Sequence, residues 1–173
     1  MKVSIVRHGK VPSNVLRVYN AENDDLTELG VSQAMEAREK IKDEQFDIVI
    51  SSPLLRARHT AEIIANDNTI IFDDRLMERD CGDLSGKPFA TTNREEYWNY
   101  YTEIQYGTSE PIQDFFKRIS DFLDELKTKD YGSVLIVAHS GVAKAFSGYF
   151  EGIQDGKFLN RGIKNCEIKV YEL

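Results

Sequence analysis

The sequence predicts a three-layer α/β/α sandwich built on a mostly parallel central sheet. Three observations point there. Short apolar runs alternate with segments whose apolar residues recur at helical spacing, as in repeated βα units. Two of the runs, "FDIVISS" (46–52) and "SVLIVAHS" (133–140), are apolar almost throughout, as expected of strands covered on both faces. Two runs end in histidine, His8 and His139, at the carboxyl ends where open parallel sheets bind ligands.

The elements follow in order. Residues 2–6 (KVSIV) form the first strand, which runs into Arg7, His8 and Gly9. Residues 9–26, polar and containing Pro12 and three asparagines, read as a loop. Thr27 caps a helix whose apolar positions Leu29, Ala34, Ala37 and Ile41 carry it to about residue 44. After the strand at 46–52, Pro53 opens the helix "LLRARHTAEIIAN", where its missing N–H does no harm. "NTIIFDD" (68–74) is a third strand. Residues 75–88, with two glycines and a proline, form a loop. Residues 111–129 make an amphipathic helix with Phe115, Ile119, Phe122, Leu123 and Leu126 on one side. The strand at 133–140 is followed by a helix over 142–151, and "CEIKVYEL" (166–173) alternates like an edge strand.

The 173 residues fit one domain, 1–173, long enough to bury a core without disulfides or metals. The net charge of −7 argues against nucleic acid and anionic membrane as partners. It leaves room for a small anionic substrate in a local arginine pocket. Cys81 and Cys166 lack the close spacing of a metal site or disulfide framework and read as reduced thiols. No apolar run approaches the roughly 20 residues of a membrane span. The chain starts a strand at once, without the regions of a signal peptide, so the cytoplasm is the expected compartment. Oligomeric state is left open.

Chemistry concentrates at the strand ends. His8, His139, Ser51 and Ser52 fall there, with Arg7 beside His8 and Arg56 a few residues past the serines. Two imidazoles and two guanidiniums brought together would repel and be costly to desolvate. A bound oxyanion such as phosphate makes the cluster sensible: arginine forks match its oxygens, and neutral imidazole can attack phosphorus. A metal is the competing reading. However, no Asp or Glu stands at ligand spacing from His8 or His139, His59 lies within a helix, and two arginines would repel a cation. No metal and no cofactor is expected.

"RHG" (7–9), "SSPLLRARHTA" (51–61), "LMERDCGDLSG" (76–86) and "VAHSG" (137–141) occur in order, at or just after predicted strands. "LTELGVSQA" (26–34) and "NCEIKVYEL" (165–173) add to the pattern. Together they resemble the histidine phosphatase superfamily, the phosphoglycerate mutase-like family, in its small phosphatase branch, over essentially the whole chain. The resemblance implies that His8 is the nucleophile and forms a phosphohistidine. It implies that Arg7 and Arg56 clamp the phosphoryl group, and that His139 is a second phosphate ligand, protonated beside the anion. Glu78, at the "LME" position, would protonate the leaving alkoxide and then activate water. Asn14 matches a phosphoryl-binding position, and Lys10, Arg17 and Ser140 complete the candidate substrate contacts.

Departures from the family pattern fall near the mouth of the site. Lys10 and Val11 stand where the family often has Glu or Gln followed by Thr or Ser. "LRVYNAEN" (16–23) lacks the glycine that often follows the family's Arg-aromatic pair. Residues 87–110, rich in tyrosine and containing Trp98, read as a lid or substrate-specificity insert, or as packed core. The expected activity is that of a histidine acid phosphatase-type phosphoric monoester hydrolase, metal-independent, acting on a small organic phosphate. Mutase-type phosphoryl transfer and a non-catalytic phospho-ligand-binding module are the alternatives.

Overall fold

The computed structural model describes residues 1–19, 23–66 and 68–173. Five strands form one sheet: β1 (Lys2–Arg7), β2 (Ile48–Ser51), β3 (Ile70–Phe72), β4 (Ser133–Ala138) and β5 (Ile168–Glu172), in the order β3-β2-β4-β1-β5. β1 to β4 are parallel and only β5 runs antiparallel, against β1. The helices are α1 (Pro12–Leu16), α2 (Glu28–Lys40), α3 (Leu55–Ile64), α4 (Arg94–Tyr97), α5 (Ile112–Leu126) and α6 (Ser140–Glu151).

The three layers follow from the two-residue period of the strands. On β4, Val134, Ile136 and Ala138 belong to a core with Phe115, Ile119 and Phe146 of α5 and α6. Leu135 and Val137 belong to a second core with Ala34 and Ala37 of α2 and Ala61 and Ile64 of α3. β1 divides in the same way, Val3 and Ile5 to one core and Val6 to the other. The apolar stripe of α5 is buried as its spacing requires, from Ile112 through Phe115, Ile119 and Phe122 to Leu126. Among the described residues no helix is long and apolar enough to cross a membrane.

Several expected boundaries shift. The loop expected over 9–26 contains α1, opened by Pro12 at a first-turn position and closed by Arg17 with φ 56°. α2 ends at Lys40 rather than near 44. Thr27 caps it as expected, its hydroxyl accepting from the Gly30 N–H at 3.1 Å. α3 begins at Leu55, two residues after Pro53. The expected loop over 75–88 includes the 3-10 turns Asp74–Leu76 and Gly82–Leu84.

One contact fixes the loop after β1. The backbone of Gly9 and Lys10 passes so close to α2 that a Cβ on Gly30 would lie 2.2 Å from the Lys10 carbonyl oxygen, and one on Gly9 would lie 2.4 Å from that of Gly30. Both obstacles are backbone and cannot swing away. Alanine in a helix is ordinarily better than glycine by about 1 kcal/mol. Here the sign reverses: Gly30→Ala is expected to destabilise the protein by about 1–3 kcal/mol, read as a lower urea midpoint at unchanged slope.

Candidate active site

Strand register assembles the site. Arg7 pairs with Ala138 on the neighbouring strand, so the next residues, His8 and His139, emerge side by side. The His8 N–H donates to the Ala138 carbonyl at 2.9 Å and the Ser52 N–H to that of Val137 at 3.0 Å, extending the ladder to the sheet's edge. The two imidazole centroids lie 5.2 Å apart. Both rings are buried, as is the Arg56 side chain at the start of α3.

The His8 Nδ1 lies 2.7 Å from the Gly9 carbonyl oxygen. A carbonyl only accepts, so Nδ1 carries the proton and Nε2 keeps its lone pair. His139 presents Nε2 to the Ser52 hydroxyl at 2.8 Å. Burial is the main force holding both histidines well below their usual pKa of 6.5, with Arg56 the next contributor and Arg7 adding to it. The protonated His139 of the sequence reading is thus opposed by the protein's own groups, and any charge there must come from an anion offsetting Arg7 and Arg56. Burial likewise works against the charge on both guanidiniums, with Glu78 opposing it.

The neutral histidines set a pH dependence. Unfolded, each takes up a proton near pH 6.5; folded, each refuses it until well below that. The unfolded chain therefore binds more protons as pH falls, and stability falls with it. The slope is at most about 1.4 kcal/mol per pH unit for each histidine. Urea midpoints between pH 7.5 and 5.5 are expected to decline, and His139→Asn to flatten the decline.

Glu78 reaches the site from the loop after β3. Its Oε2 accepts from the Gly141 N–H at 3.0 Å, in the first turn of α6, and its Oε1 from the Arg79 N–H at 2.9 Å. The loop itself is held by Arg118 of α5, which donates to the carbonyls of Arg75 (2.6 Å), Met77 (2.9 Å) and Glu78 (3.1 Å) while paired with Glu110 at 2.7 Å.

These groups face a cavity of about 740 Å³. Of the sequence-predicted residues, Arg7, His8, Lys10, Asn14, Arg56, Glu78 and Ser140 line it. His139 lies behind this lining, against His8. Asn14 is held by Asn165, whose amide donates to it at 3.1 Å and to the His8 carbonyl at 2.9 Å. Arg17 is exposed and stands outside the cavity wall, in the left-handed turn that ends α1. Residues 20–22, on which the expectation about the absent glycine falls, lie outside the described residues.

The sequence reading missed Lys144, Arg79 and Asn165. Lys144 is buried in the wall, donating to the Leu159 carbonyl. Burial pushes it down to about 8, with Arg94 and Arg7 adding to the effect against Glu78. Its signal was its place one turn beyond Ser140 on the same helix face. The aromatics of 87–110 both pack and line: Tyr97 and Trp98 join the core, and both border the cavity with Phe89 and Arg94. Among the described residues, no three His, Cys, Asp or Glu side chains gather as metal ligands would.

A family model, the histidine phosphatase superfamily (branch 1), matches residues 3–173. A Bacillus subtilis protein named "Uncharacterized phosphatase PhoE" is 32% identical over 173 residues, spanning 95% of this chain and 87% of the relative. Phosphoserine phosphatase 1 of Hydrogenobacter thermophilus is 27% identical over 183 residues, spanning 100% and 87%. Among solved structures, the alpha-ribazole phosphatase from Shigella flexneri superposes with a TM-score of 0.87 at 24% identity, covering 100% of this chain and 91% of that one. This last likeness speaks to the fold.

Proposed function

The chain belongs to the histidine phosphatase superfamily, and from that premise we propose that it is a metal-independent phosphomonoesterase working through a phosphohistidine on a small organic phosphate. The observation that carries this reading is the His8 tautomer. The Nδ1 proton is tied to the Gly9 carbonyl, so an unprotonated Nε2 stands ready beside Arg7 and Arg56. Phosphatases among the relatives support hydrolysis as the outcome.

Nε2 attacks phosphorus as the ester oxygen departs in line. The charge on the equatorial oxygens is met by the two guanidiniums, with Asn14, Lys10 and Ser140 as further contacts, and His139 stands behind them against His8. Glu78 gives its proton to the leaving alkoxide. It then takes one from water as water attacks the phosphohistidine, which releases phosphate and restores neutral His8. Residues 87–110 act as the specificity wall through Phe89, Arg94, Tyr97 and Trp98.

The test is turnover of p-nitrophenyl phosphate with chelator present, followed by quenching and mapping of the phosphoprotein. The expected result is chelator-insensitive turnover, with an alkali-stable, acid-labile phosphoryl group on the peptide containing His8. Label on any other residue, or turnover abolished by chelator, would overturn the proposal.

A further inference from the structure

The paired register of β5 against β1 ends at Val6, opposite Ile168. The chain just before β5 nevertheless keeps hold of the nucleophile strand. The Cys166 N–H donates to the Arg7 carbonyl at 2.9 Å, from a residue with φ 54°. The next carbonyl, that of His8, is taken by a side chain, the Asn165 amide at 2.9 Å. The Arg7 guanidinium in turn donates to the Ile163 carbonyl at 3.1 Å. Where the backbone ladder stops, Asn165 supplies its next rung and keeps the His8 carbonyl from being an unpaired acceptor.

Asn165 is half-buried and borders the cavity beside Asn14. The two ends of an amide are not alike. Its nitrogen only donates and its oxygen only accepts, so its partners set which way it faces. The His8 carbonyl is backbone and can only accept, which fixes the nitrogen of Asn165 on that side. The second hydrogen on that nitrogen reaches Asn14 at 3.1 Å, and the atom receiving it must be oxygen. The Asn14 Nδ2 is then the end left for the cavity, and among the described residues no protein acceptor meets it. Without this constraint the last torsion of an asparagine is broad and roughly two-fold. The amide would then present its oxygen to the cavity as readily as its nitrogen, and an oxygen there repels a phosphoryl oxygen.

We propose that Asn165 is a positioning residue of this site: referenced to the His8 carbonyl, it locks the Asn14 amide with its nitrogen toward the phosphoryl group and so makes Asn14 a fixed donor to a phosphoryl oxygen. The inference rests on the hydrolase reading above and deepens it. Both amide hydrogens of Asn165 are committed, to His8 and to Asn14, so it acts on the phosphoryl group through Asn14. One side chain thereby ties the backbone of the nucleophile to the donor facing the group it attacks.

The test is a double-mutant cycle on affinity for inorganic phosphate, measured by calorimetry on the full chain. Asn14→Ala is expected to weaken binding about tenfold, the loss of one hydrogen bond to an anion. Asn165→Ala is expected to weaken it by about the same factor, although it removes no phosphate contact. The double variant should stay within about threefold of either single one, because Asn165 then has nothing left to orient. Asn165→Ser decides the matter where Asn165→Ala fails to fold. Its one hydroxyl hydrogen can serve His8 but not Asn14 as well, so the same loss of about tenfold is expected. In the parent, the Asn14 side-chain NH2 resonance, identified by its absence from Asn14→Ala, should move when phosphate is added. A merely structural Asn165 would lower the urea midpoint and leave the affinity of the folded protein unchanged. Affinity within about twofold of the parent in the folded Asn165 variants, losses that multiply in the double variant, or an Asn14 resonance indifferent to phosphate overturns the proposal. So does a parent that binds no phosphate. Hydrolysis of p-nitrophenyl phosphate by the parent is scored separately. Its absence would remove the hydrolase reading and leave the cycle to decide on Asn165.

Discussion

His8→Ala is expected to lower kcat for p-nitrophenyl phosphate by about four to six orders of magnitude. The size follows from the lack of a substitute. Among the described residues His139 is the only other imidazole close by, its centroid 5.2 Å away, and its Nε2 faces the Ser52 hydroxyl on the neighbouring strand end. The rest of the clamp, Arg7 at the end of β1 and Arg56 on α3, keeps its own side chains, so the variant should still bind inorganic phosphate. The missing ring leaves a pocket beside Gly9, and added imidazole is expected to restore part of the rate. A variant that retains activity within tenfold of the parent would sink the nucleophile assignment.

Glu78→Gln should separate two classes of ester. For alkyl phosphates kcat/KM is expected to fall about a hundred- to a thousandfold, because the alkoxide then leaves without its proton. For p-nitrophenyl phosphate, whose leaving group needs no proton, kcat/KM should fall less than about tenfold. Hydrolysis of the phosphohistidine also loses its base, so a burst of p-nitrophenolate stoichiometric with protein should precede slow turnover. Gly141→Ala offers a second route to the same result. Its Cβ would sit 1.9 Å from Glu78 Oε1 and 2.8 Å from the Trp98 ring, displacing a carboxylate that is chemically intact. Equal losses on both esters in Glu78→Gln would remove the proton-donor role.

The strand ends were legible because two periodicities agree there. An apolar run of strand length that stops at a polar cluster puts that cluster at the sheet's edge, and parallel register does the rest for His8, His139, Ser52 and Arg56. Glu78 was legible only through family resemblance. Nothing local to "LMERD" shows that a helix-start N–H and an arginine of α5 will meet it. Lys144 escaped for a related reason: it lies inside the helix expected over 142–151, and only the tertiary fold makes it part of a wall. The turn that sets Arg17 outside the wall was not legible, because a short helix opened by Pro12 within a polar stretch leaves little periodic signal. The aromatic segment resisted a single reading because Tyr97 and Trp98 serve the core and the cavity at once.

The Arg118 staple divides the catalyst into two mechanical parts. The nucleophile hangs from hydrogen bonds of the two central strands, whereas the acid rides on a loop held by the Arg118 side chain at three carbonyls and by the Gly141 N–H at its own carboxylate. Openings that release a helix face and a loop cost less than openings that unzip a central sheet. Gentle heating should therefore detach the acid first. The half-loosened protein would still accept a phosphoryl group from an activated ester but would discharge it slowly. Between its working temperature and its melting point, the molecule would change from a catalyst into a reagent consumed once.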